Sequence, residues 1–199
     1  MILRNKQSNG FALLMSLLVV SVVVSIGLVV IDLTLKQLRL STNSKDSETA
    51  FHAANAAMEC ARYWRNHSST TFDVGGNVDE VECFGETIAL NDPTSIAVVD
   101  QGIARKYSFE GTWGIPPAPG IPSTQRCSQV DILVVNSNID AITTINVLDM
   151  QAAIPGYPSN IKECASGGLC TVIAARGYSR ACNQLDQAGT VQREVLLEL

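Results

Sequence analysis

Apolar residues are distributed very unevenly along the chain. Residues 11–31 carry no charge, and fifteen of these 21 positions are Phe, Leu, Val or Ile. The polar groups in this run are the hydroxyls of Ser16, Ser21 and Ser25, which can donate hydrogen bonds back to helix carbonyls. Because a helix of about 20 apolar residues matches the hydrocarbon thickness of a bilayer, the run predicts a single membrane-spanning helix.

The helical pattern continues beyond the apolar run. Small and apolar residues recur there at helical intervals and form one stripe, with two larger residues beside it: Ala50, Ala54, Ala57, Ala61 and Trp64, flanked by Phe51 and Met58. The polar side consists of Lys45, Asp46, Glu59, Arg62 and Arg65. No proline interrupts residues 11–66, so we expect one continuous helix, whose small residues would allow a sheet to approach closely.

The remainder of the chain has the pattern of a β-rich domain. Gly, Pro, Asn and Ser become frequent after residue 67, and short β-type runs follow at residues 81–90, 95–100, 104–109, 130–135 and 169–177. At the end, Val191, Val195, Leu197 and Leu199 alternate with polar residues, as in a half-buried antiparallel strand. Residues 141–153 fit either a strand or a short helix. The expected fold is therefore α+β, with a long N-terminal helix packed on one small antiparallel sheet.

Charge and motif content argue against several classes of function. The formal net charge of −5 argues against a nucleic-acid partner, since such binders usually present a basic face. Neither His52 nor His67 lies in a metal-ligand or catalytic motif, and we expect both at the surface. We therefore expect no enzyme, no cofactor and no metal site.

Two further segments carry weak motifs. Asn136, Asn138 and Asp140 have the spacing that opens a calcium loop, but Ala141 and Val147 stand where that loop needs Gly and Glu. Residues 114–122 are rich in Pro and Gly and are expected to form an exposed loop between strands, rather than a polyproline ligand.

The six cysteines all follow the apolar run: Cys60, Cys83, Cys127, Cys164, Cys170 and Cys182. Their spacing does not suit a zinc site, because no C-x-x-C pair occurs. Three disulfides in an oxidising compartment are expected, the alternative being reduced, buried thiols. Six cysteines allow fifteen pairings, so the connectivity stays open. Local closure favours Cys164–Cys170 and Cys60–Cys83, which would leave Cys127–Cys182.

Membrane orientation follows from the cysteines rather than from the basic residues. Arg4 and Lys6 precede the apolar run, and Lys36 and Arg39 follow it, so the distribution of positive charge does not decide the topology. If the thiols are oxidised, the C-terminal domain lies outside the cytoplasm. A cleaved secretory signal is disfavoured, because the apolar run is longer than usual and no A-x-A motif follows closely.

The N-terminal junction resembles the class III signal of type IV pilin-like proteins. A short basic leader ends at Gly10, and the apolar run begins at Phe11. The resemblance implies that a prepilin peptidase cleaves between Gly10 and Phe11 and that the new N-terminus is methylated. Residues 50–61, AFHAANAAMECA, are similar to the AF-x-A-A-E-A-A stretch of PilX-type minor pilins, with Asn55 at the Glu position. Residues 171–178 and 191–195 also resemble the closing strands of pilin-like domains.

Met15 departs from the pattern of major pilins. Those proteins usually carry Glu at the fifth mature position, where its carboxylate is thought to meet the N-terminal amine of a neighbouring subunit, whereas this chain has Met15. The resemblance therefore implies a minor pilin or pseudopilin that primes, initiates or caps a filament. Its expected partners are other pilin-like subunits, prepilin peptidase, the pilus assembly machinery and the lipid bilayer.

Four segments follow from this interpretation: a leader at 1–10, a transmembrane or filament-core half of the helix at 11–35, an amphipathic half at 36–66, and a disulfide-linked head at 67–199. The expected location is the cytoplasmic membrane, or a pilus at the cell surface. The competing hypothesis is an uncleaved, single-pass signal-anchor protein whose extracytoplasmic domain binds a ligand, as an adhesin does.

Overall fold

The protein is an α+β protein, described here from a computed structural model. The structure describes residues 9–96, 98–99, 102–115, 119, 124–137, 145–147, 149–165 and 167–199. Contacts divide the chain into two compact units, Met1–Ser44 and Lys45–Leu199, and we call the second unit the head domain. The long helix expected from the sequence is confirmed as helix α1 (Asn9–His67), which contributes residues to both units.

The remaining elements all belong to the head domain. Its helices are α2 (Ser69–Asp73), α3 (Met150–Ala153) and a 3₁₀ turn (Cys182–Gln184). Its strands are β1 (Glu80–Cys83), β2 (Glu86–Ala89), β3 (Thr94–Ser95), β4 (Val98–Val99), β5 (Gly102–Trp113), β6 (Arg126–Ser137), β7 (Ile145–Val147), β8 (Lys162–Cys164), β9 (Leu169–Tyr178) and β10 (Gln192–Glu198).

An antiparallel sheet with the strand order β10-β9-β6-β5-β3 forms the centre of the head domain. Its long strands β5 and β6 pair over their full lengths, from Gly102 opposite Ser137 to Trp113 opposite Arg126. The expected strands at 104–109, 130–135 and 169–177 are all present, and each is longer than the pattern predicted. β10 is the expected closing strand and pairs with β9.

The prediction of a single sheet is wrong. Among the described residues, β4, β7 and β8 form a second antiparallel sheet, and β1 and β2 form a separate hairpin. The expected strand at 81–90 is this hairpin, because Phe84 and Gly85 both adopt positive φ angles, 61° and 77°, and reverse the chain. The expected strand at 95–100 is likewise divided, between β3 in the central sheet and β4 in the second sheet.

The central sheet has an apolar core on each face. On the face that packs against α1, the core includes Ala57, Met58, Ala61, Phe72, Val130, Ile132, Ile173 and Ala175. On the opposite face, which we call the outer face, the core includes Leu133, Val135, Val147, Met150, Ile154, Val172 and Ala174. Successive residues of β6 and β9 point to opposite faces. Because both faces are covered by an apolar core, the sequences of both strands are nearly continuous apolar runs.

Two segments with weak motifs fall largely outside the described residues. The ambiguous stretch 141–153 contains β7 and α3, but residues 138–144, with most of the candidate calcium loop, are not described. Of the Pro/Gly-rich segment, Gly114, Ile115 and residue 119 are described, and Gly114 and Ile115 are exposed.

Candidate functional site

The expected processing junction lies at the beginning of α1. The helix begins at Asn9, so Gly10 is its second residue and Phe11 its third. The side chains of Phe11 and Met15 are both exposed. Residues 1–8 of the expected leader lie outside the described part of the chain.

The apolar part of α1 is long and apolar enough to cross a membrane, judged by length and composition. Its large apolar side chains are exposed throughout, for example Leu17, Val23 and Ile31. The hydroxyls of Ser16, Ser21 and Ser25 donate to the carbonyls of Leu13, Leu18 and Ser21, each at 2.8 Å. These bonds satisfy the polar groups within the helix, so the run exposes a largely apolar surface that suits lipid or other apolar helices.

In the head domain, the small-residue stripe of α1 packs against the central sheet. Ala50, Ala53, Ala54, Ala57 and Ala61 have no exposed surface. The facing residue on β9 is Gly177. A Cβ atom there would lie 2.8 Å from the Cβ of Ala53 and even closer to the carbonyl oxygen of Ala50 and the amide nitrogen of Ala54. Helix and sheet therefore approach as closely as backbone atoms permit, which only small residues on both sides allow.

A hydroxyl of the sheet also bonds to the helix. Ser128, which is paired with Gly177 across β6 and β9, donates from Oγ to the carbonyl oxygen of Ala53 at 3.1 Å and accepts a hydrogen bond from Trp113 Nε1 at 3.1 Å. Phe51, expected beside the stripe, is instead 47% exposed, whereas Met58 is buried.

The prediction that Arg65 lies on the polar side of the helix is wrong. Its side chain is buried and pairs with Asp73 at 2.6 Å. Its Nε donates to Thr171 Oγ1 at 3.0 Å, and its guanidinium lies 5.9 Å from the centre of the Phe72 ring. The arginine thus ties the end of α1 to α2 and β9. Its position four residues after Ala61 places it on the buried stripe despite its charge.

Three disulfides are present, Cys60–Cys83, Cys127–Cys182 and Cys164–Cys170, with Cα atoms 6.0, 4.6 and 5.9 Å apart. Local closure favoured Cys60–Cys83 and Cys164–Cys170, and Cys127–Cys182 is the pair that this choice left. Cys60–Cys83 fastens the β1–β2 hairpin to α1, and Trp64 Nε1 donates to the Glu82 carbonyl at 3.0 Å beside it. Cys127–Cys182 joins β6 to the 3₁₀ turn, and Cys164–Cys170 joins the second sheet to the central one.

An ion network lies on the outer face of the central sheet. Asp131 on β6 is almost completely buried, yet it forms ion pairs with Lys106 on β5, at 3.1 Å, and with Arg176 on β9. Ser108 donates to the same carboxylate at 2.6 Å. The hydrophobic pattern of the sequence does not predict this network. The available signal was Asp131 itself, a single charge inside the otherwise apolar run of residues 130–135.

Two adjoining clefts open beside this network. One has a volume of about 360 Å³ and is lined by Asp92 and Asp149 among others. The second, about 310 Å³, is lined by Arg176, Asp131 and Pro155 among others. Because Lys106 and Ser108 line both clefts, the two clefts form one groove beside the ion network on the outer face.

The closing strand β10 is fastened to the second sheet by a carboxylate. Tyr157 donates to Glu198 Oε1 at 2.6 Å, and Lys162 forms an ion pair with the other oxygen. These two hydrogen bonds, first that of Lys162 and then that of Tyr157, lower the pKa of Glu198. Burial, together with the bond to this carboxylate, raises the pKa of Tyr157 to about 12.

Within the described residues, one group of potential metal ligands comes together, Glu110, Cys127 and Cys182. Both sulfurs belong to a disulfide and are therefore not thiolates, the form that binds metal ions. His52 and His67 are exposed, as expected: His52 lies 3.8 Å from Glu48, and His67 stacks on Tyr63. Glu110 and the two disulfide-bonded cysteines therefore supply no metal site.

Comparisons with protein-family models, with characterised proteins and with solved structures found no match to this chain.

Proposed function

We propose that this chain is a minor pilin or pseudopilin, a structural subunit that primes, initiates or caps a type IV pilus-like filament. The observation that carries the proposal is the sequence of features along α1. An uncharged run begins at Phe11, directly after Gly10, and the same helix then carries a buried alanine stripe that packs on a sheet. A helix of this kind serves as a membrane anchor first and as an assembly element afterwards.

In the proposed mechanism, prepilin peptidase removes residues 1–10. Before assembly, the subunit is anchored in the cytoplasmic membrane by its apolar helix, with its head domain outside the cytoplasm. It leaves the membrane laterally when its apolar half-helix packs against equivalent helices. Lipid contacts are then replaced by protein contacts, and close helix packing supplies the van der Waals energy that lipid would otherwise provide. No chemical step beyond processing is required.

Met15 favours a minor or tip component over a bulk filament subunit. A carboxylate in lipid is costly unless it is paired with a cation. In pilins that have the usual Glu, pairing with a neighbour's amine fixes the register of the subunits. Met15 cannot make that pair, so the proposal assigns this chain to a specialised subunit rather than to the bulk of the filament.

Filament incorporation tests this proposal. The chain would be produced in a cell with an active type IV pilus-like system, and surface filaments would be sheared off and analysed quantitatively. We expect small, substoichiometric amounts in the sheared fraction, and none from cells that lack the assembly ATPase. Equal amounts in the membrane with and without the ATPase, and none in filaments, would contradict an assembly role.

The groove on the outer face favours a second candidate, an uncleaved signal-anchor protein whose extracytoplasmic domain binds a ligand. Its two clefts, about 360 and 310 Å³, have the size of small-molecule sites. This candidate would retain Met1 and would not depend on an assembly machine. The length of the mature chain therefore separates the two candidates.

A further inference from the structure

A third, smaller cleft in the head domain is lined entirely by polar residues. It has a volume of about 180 Å³ and is bounded by Asp46, Gln125, Arg126, Ser179, Arg180 and Gln184. We call it the arginine cleft. Its size and lining suit a small polar group, because sites for larger ligands are bigger and mostly apolar.

The guanidinium group of Arg126 has a hydrogen-bond donor that lacks a partner among the described residues. Its Nη1 donates to the carbonyl oxygen of Gln125 at 2.8 Å, but its Nε–H is buried and has no hydrogen-bond partner among the described residues. It also takes no part in the ion pairs found in the described part of the chain. Arg176 on the outer face likewise has an unpartnered Nε, but its charge is already matched by Asp131. No carboxylate among the described residues forms such a pair with Arg126.

Arg180 and Ser179 add donors to the same cleft. Arg180 donates to the side chain of Gln187 at 2.8 Å and to the Ala188 carbonyl at 3.4 Å, both of which are neutral acceptors. Ser179 is 6% exposed, and its Oγ accepts from Val191 N–H at 3.0 Å, which leaves the hydroxyl hydrogen able to donate. Asp46 is the acid in the lining, and it forms no ion pair with either arginine in the described structure. With two cations and one anion, the cleft has a net positive charge.

We propose that the arginine cleft binds one oxyanion group, and that its occupant is the carboxylate of an Asp or Glu side chain from a neighbouring pilin-like subunit. Guanidinium groups match carboxylates in geometry and charge, and such hydrogen bonds are stronger than those between neutral groups. The choice of occupant rests on the proposed function. It is supported by the cleft's size and by Asp46, which is part of α1, the helix through which assembly is proposed.

Oxyanion binding can be measured on the full chain in detergent micelles. The readout is the NMR resonance of the Arg126 Nε–H, and the probes are N-acetyl-glutamate methylamide, the matching glutamine compound and inorganic phosphate. We expect a saturable shift with the glutamate probe and none with the glutamine probe. Binding to Arg180→Gln is followed on the Arg126 Nε–H, and binding to Arg126→Gln is followed on the Arg180 Nε–H. Each substitution should weaken binding of the glutamate probe about tenfold, as loss of one charged contact does. Arg193→Gln, which removes an arginine that contacts Ser47 outside the cleft, should leave it unchanged.

Two results would overturn the proposal. Equal binding of the glutamate and glutamine probes would show that the cleft does not select an oxyanion. Binding of phosphate without binding of the glutamate probe would show that the occupant is not an acidic side chain. Thermal unfolding of each variant checks that it is folded, and Arg180→Gln provides an independent test if Arg126→Gln does not fold.

A second experiment separates this inference from the proposed function. In cells, Arg126→Gln should be processed like the unmodified chain but should be depleted from sheared filaments, whereas Arg193→Gln should be incorporated normally. Normal incorporation of Arg126→Gln would overturn the role of the cleft and leave the assembly function standing. An unmodified chain that is neither processed nor incorporated would instead overturn the proposed function, whatever the probes show.

Discussion

Gly177 lies on β9 directly beneath α1, where a side chain would meet backbone atoms of Ala50 and Ala54. Backbone atoms of a packed helix cannot move aside as a flexible side chain can. We therefore predict that Gly177→Ala lowers the free energy of unfolding of the head domain by about 2–3 kcal/mol, in the range of overpacked cores. Urea denaturation followed by circular dichroism measures the change.

The matched control is Gly27→Ala, because a Cβ at Gly27 meets nothing within 4 Å. This variant should leave the unfolding of the head domain unchanged. If Gly177→Ala proved as stable as the unmodified chain, the close approach of helix and sheet described here would be incorrect.

Arg65 provides a second prediction at the scale of single residues. Its removal leaves Asp73 without its cation and Thr171 without its donor. Breaking a buried ion pair usually costs several kcal/mol, so we expect Arg65→Ala to lower the free energy of unfolding by about 3 kcal/mol. Asp73→Asn should cost less in the Arg65→Ala background than in the unmodified chain, and a double-mutant cycle measures this coupling.

The control for Arg65 is Arg62→Ala, which removes an exposed pair with Glu59 on the same helix. Exposed ion pairs contribute only about 0.2–1 kcal/mol, so this change should be small. Similar losses for both arginines, or additive effects of Arg65→Ala and Asp73→Asn, would show that the buried pair is not a coupled unit.

The disulfides act on whole elements, and their sequence separations predict a ranking. Cys127–Cys182, Cys60–Cys83 and Cys164–Cys170 close segments of 55, 23 and 6 residues. In the chain-entropy account, a disulfide that closes a longer loop removes more conformational entropy from the unfolded chain. The expected stabilisation of the fold is therefore about 4, 3 and 2 kcal/mol, respectively. Replacing each pair by Ala in turn should lower the free energy of unfolding in that order, as measured by urea denaturation.

Removing Cys60–Cys83 should also have a local effect. The β1–β2 hairpin would remain attached through Trp64 and through the stacking of Phe84 on Trp113. Hydrogen exchange of residues 80–89 should therefore become faster while β6 and β9 stay protected. Unchanged exchange in the hairpin would mean that the disulfide does not hold it in place.

The stability that strand β10 contributes to the fold should depend on pH, because Glu198 must be ionised to contribute fully. The pKa of Glu198 is lowered from its ordinary value of 4.5 in the folded protein, so its ionised form stabilises the fold. This stabilisation is fully present above the ordinary value and is lost as the pH falls through the lowered one. We predict that Glu198→Gln loses less stability than the unmodified chain when the pH falls below about 4.5, as measured by urea denaturation.

Glu194 on the same strand serves as the control, because its pKa is shifted in the opposite direction. Burial raises its pKa, and Arg176 only partly offsets this, so ionisation of Glu194 weakens the fold as the pH rises through the ordinary and then the raised value. Glu194→Gln should therefore be at least as stable as the unmodified chain at neutral pH. If both variants changed the acid dependence in the same direction, the assigned environments would be wrong.

How far the sequence predicts an element depends on the element's length. β6 and β9 were found because runs of β-branched residues persist over many positions, and α1 because its stripe repeats over several turns. β3, β4 and β8 contain two or three residues each, too few to establish a period. The hairpin turn was missed because Phe84-Gly85 lacks the Asn-Gly or Asp-Gly signal usual for such turns.

At the scale of the molecule, the coarse architecture followed from the hydrophobic pattern, and the polar sites did not. The long helix and the antiparallel sheet are present, as composition and period predicted. The contact of Asp131 with Lys106 and Arg176, and the position of Arg126 and Arg180 in one cleft, depend on the register between segments that are distant in sequence. A single sequence does not encode that register in any local pattern. Asp131 marks a polar position within an apolar run, but its partners, and the grouping of the two arginines, could not be predicted. Family and function remain predictions from the N-terminal junction and the alanine stripe.

The mature N-terminus tests the central claim most directly. The full chain would be produced together with an active prepilin peptidase, and the intact mass of the membrane-bound protein would be measured before and after reduction. The account predicts a chain that begins at Phe11, carries a methyl group on its amine and gains two hydrogens on reduction for each of its three disulfides. A chain that retains Met1, or one that begins well downstream of Phe11, would contradict it.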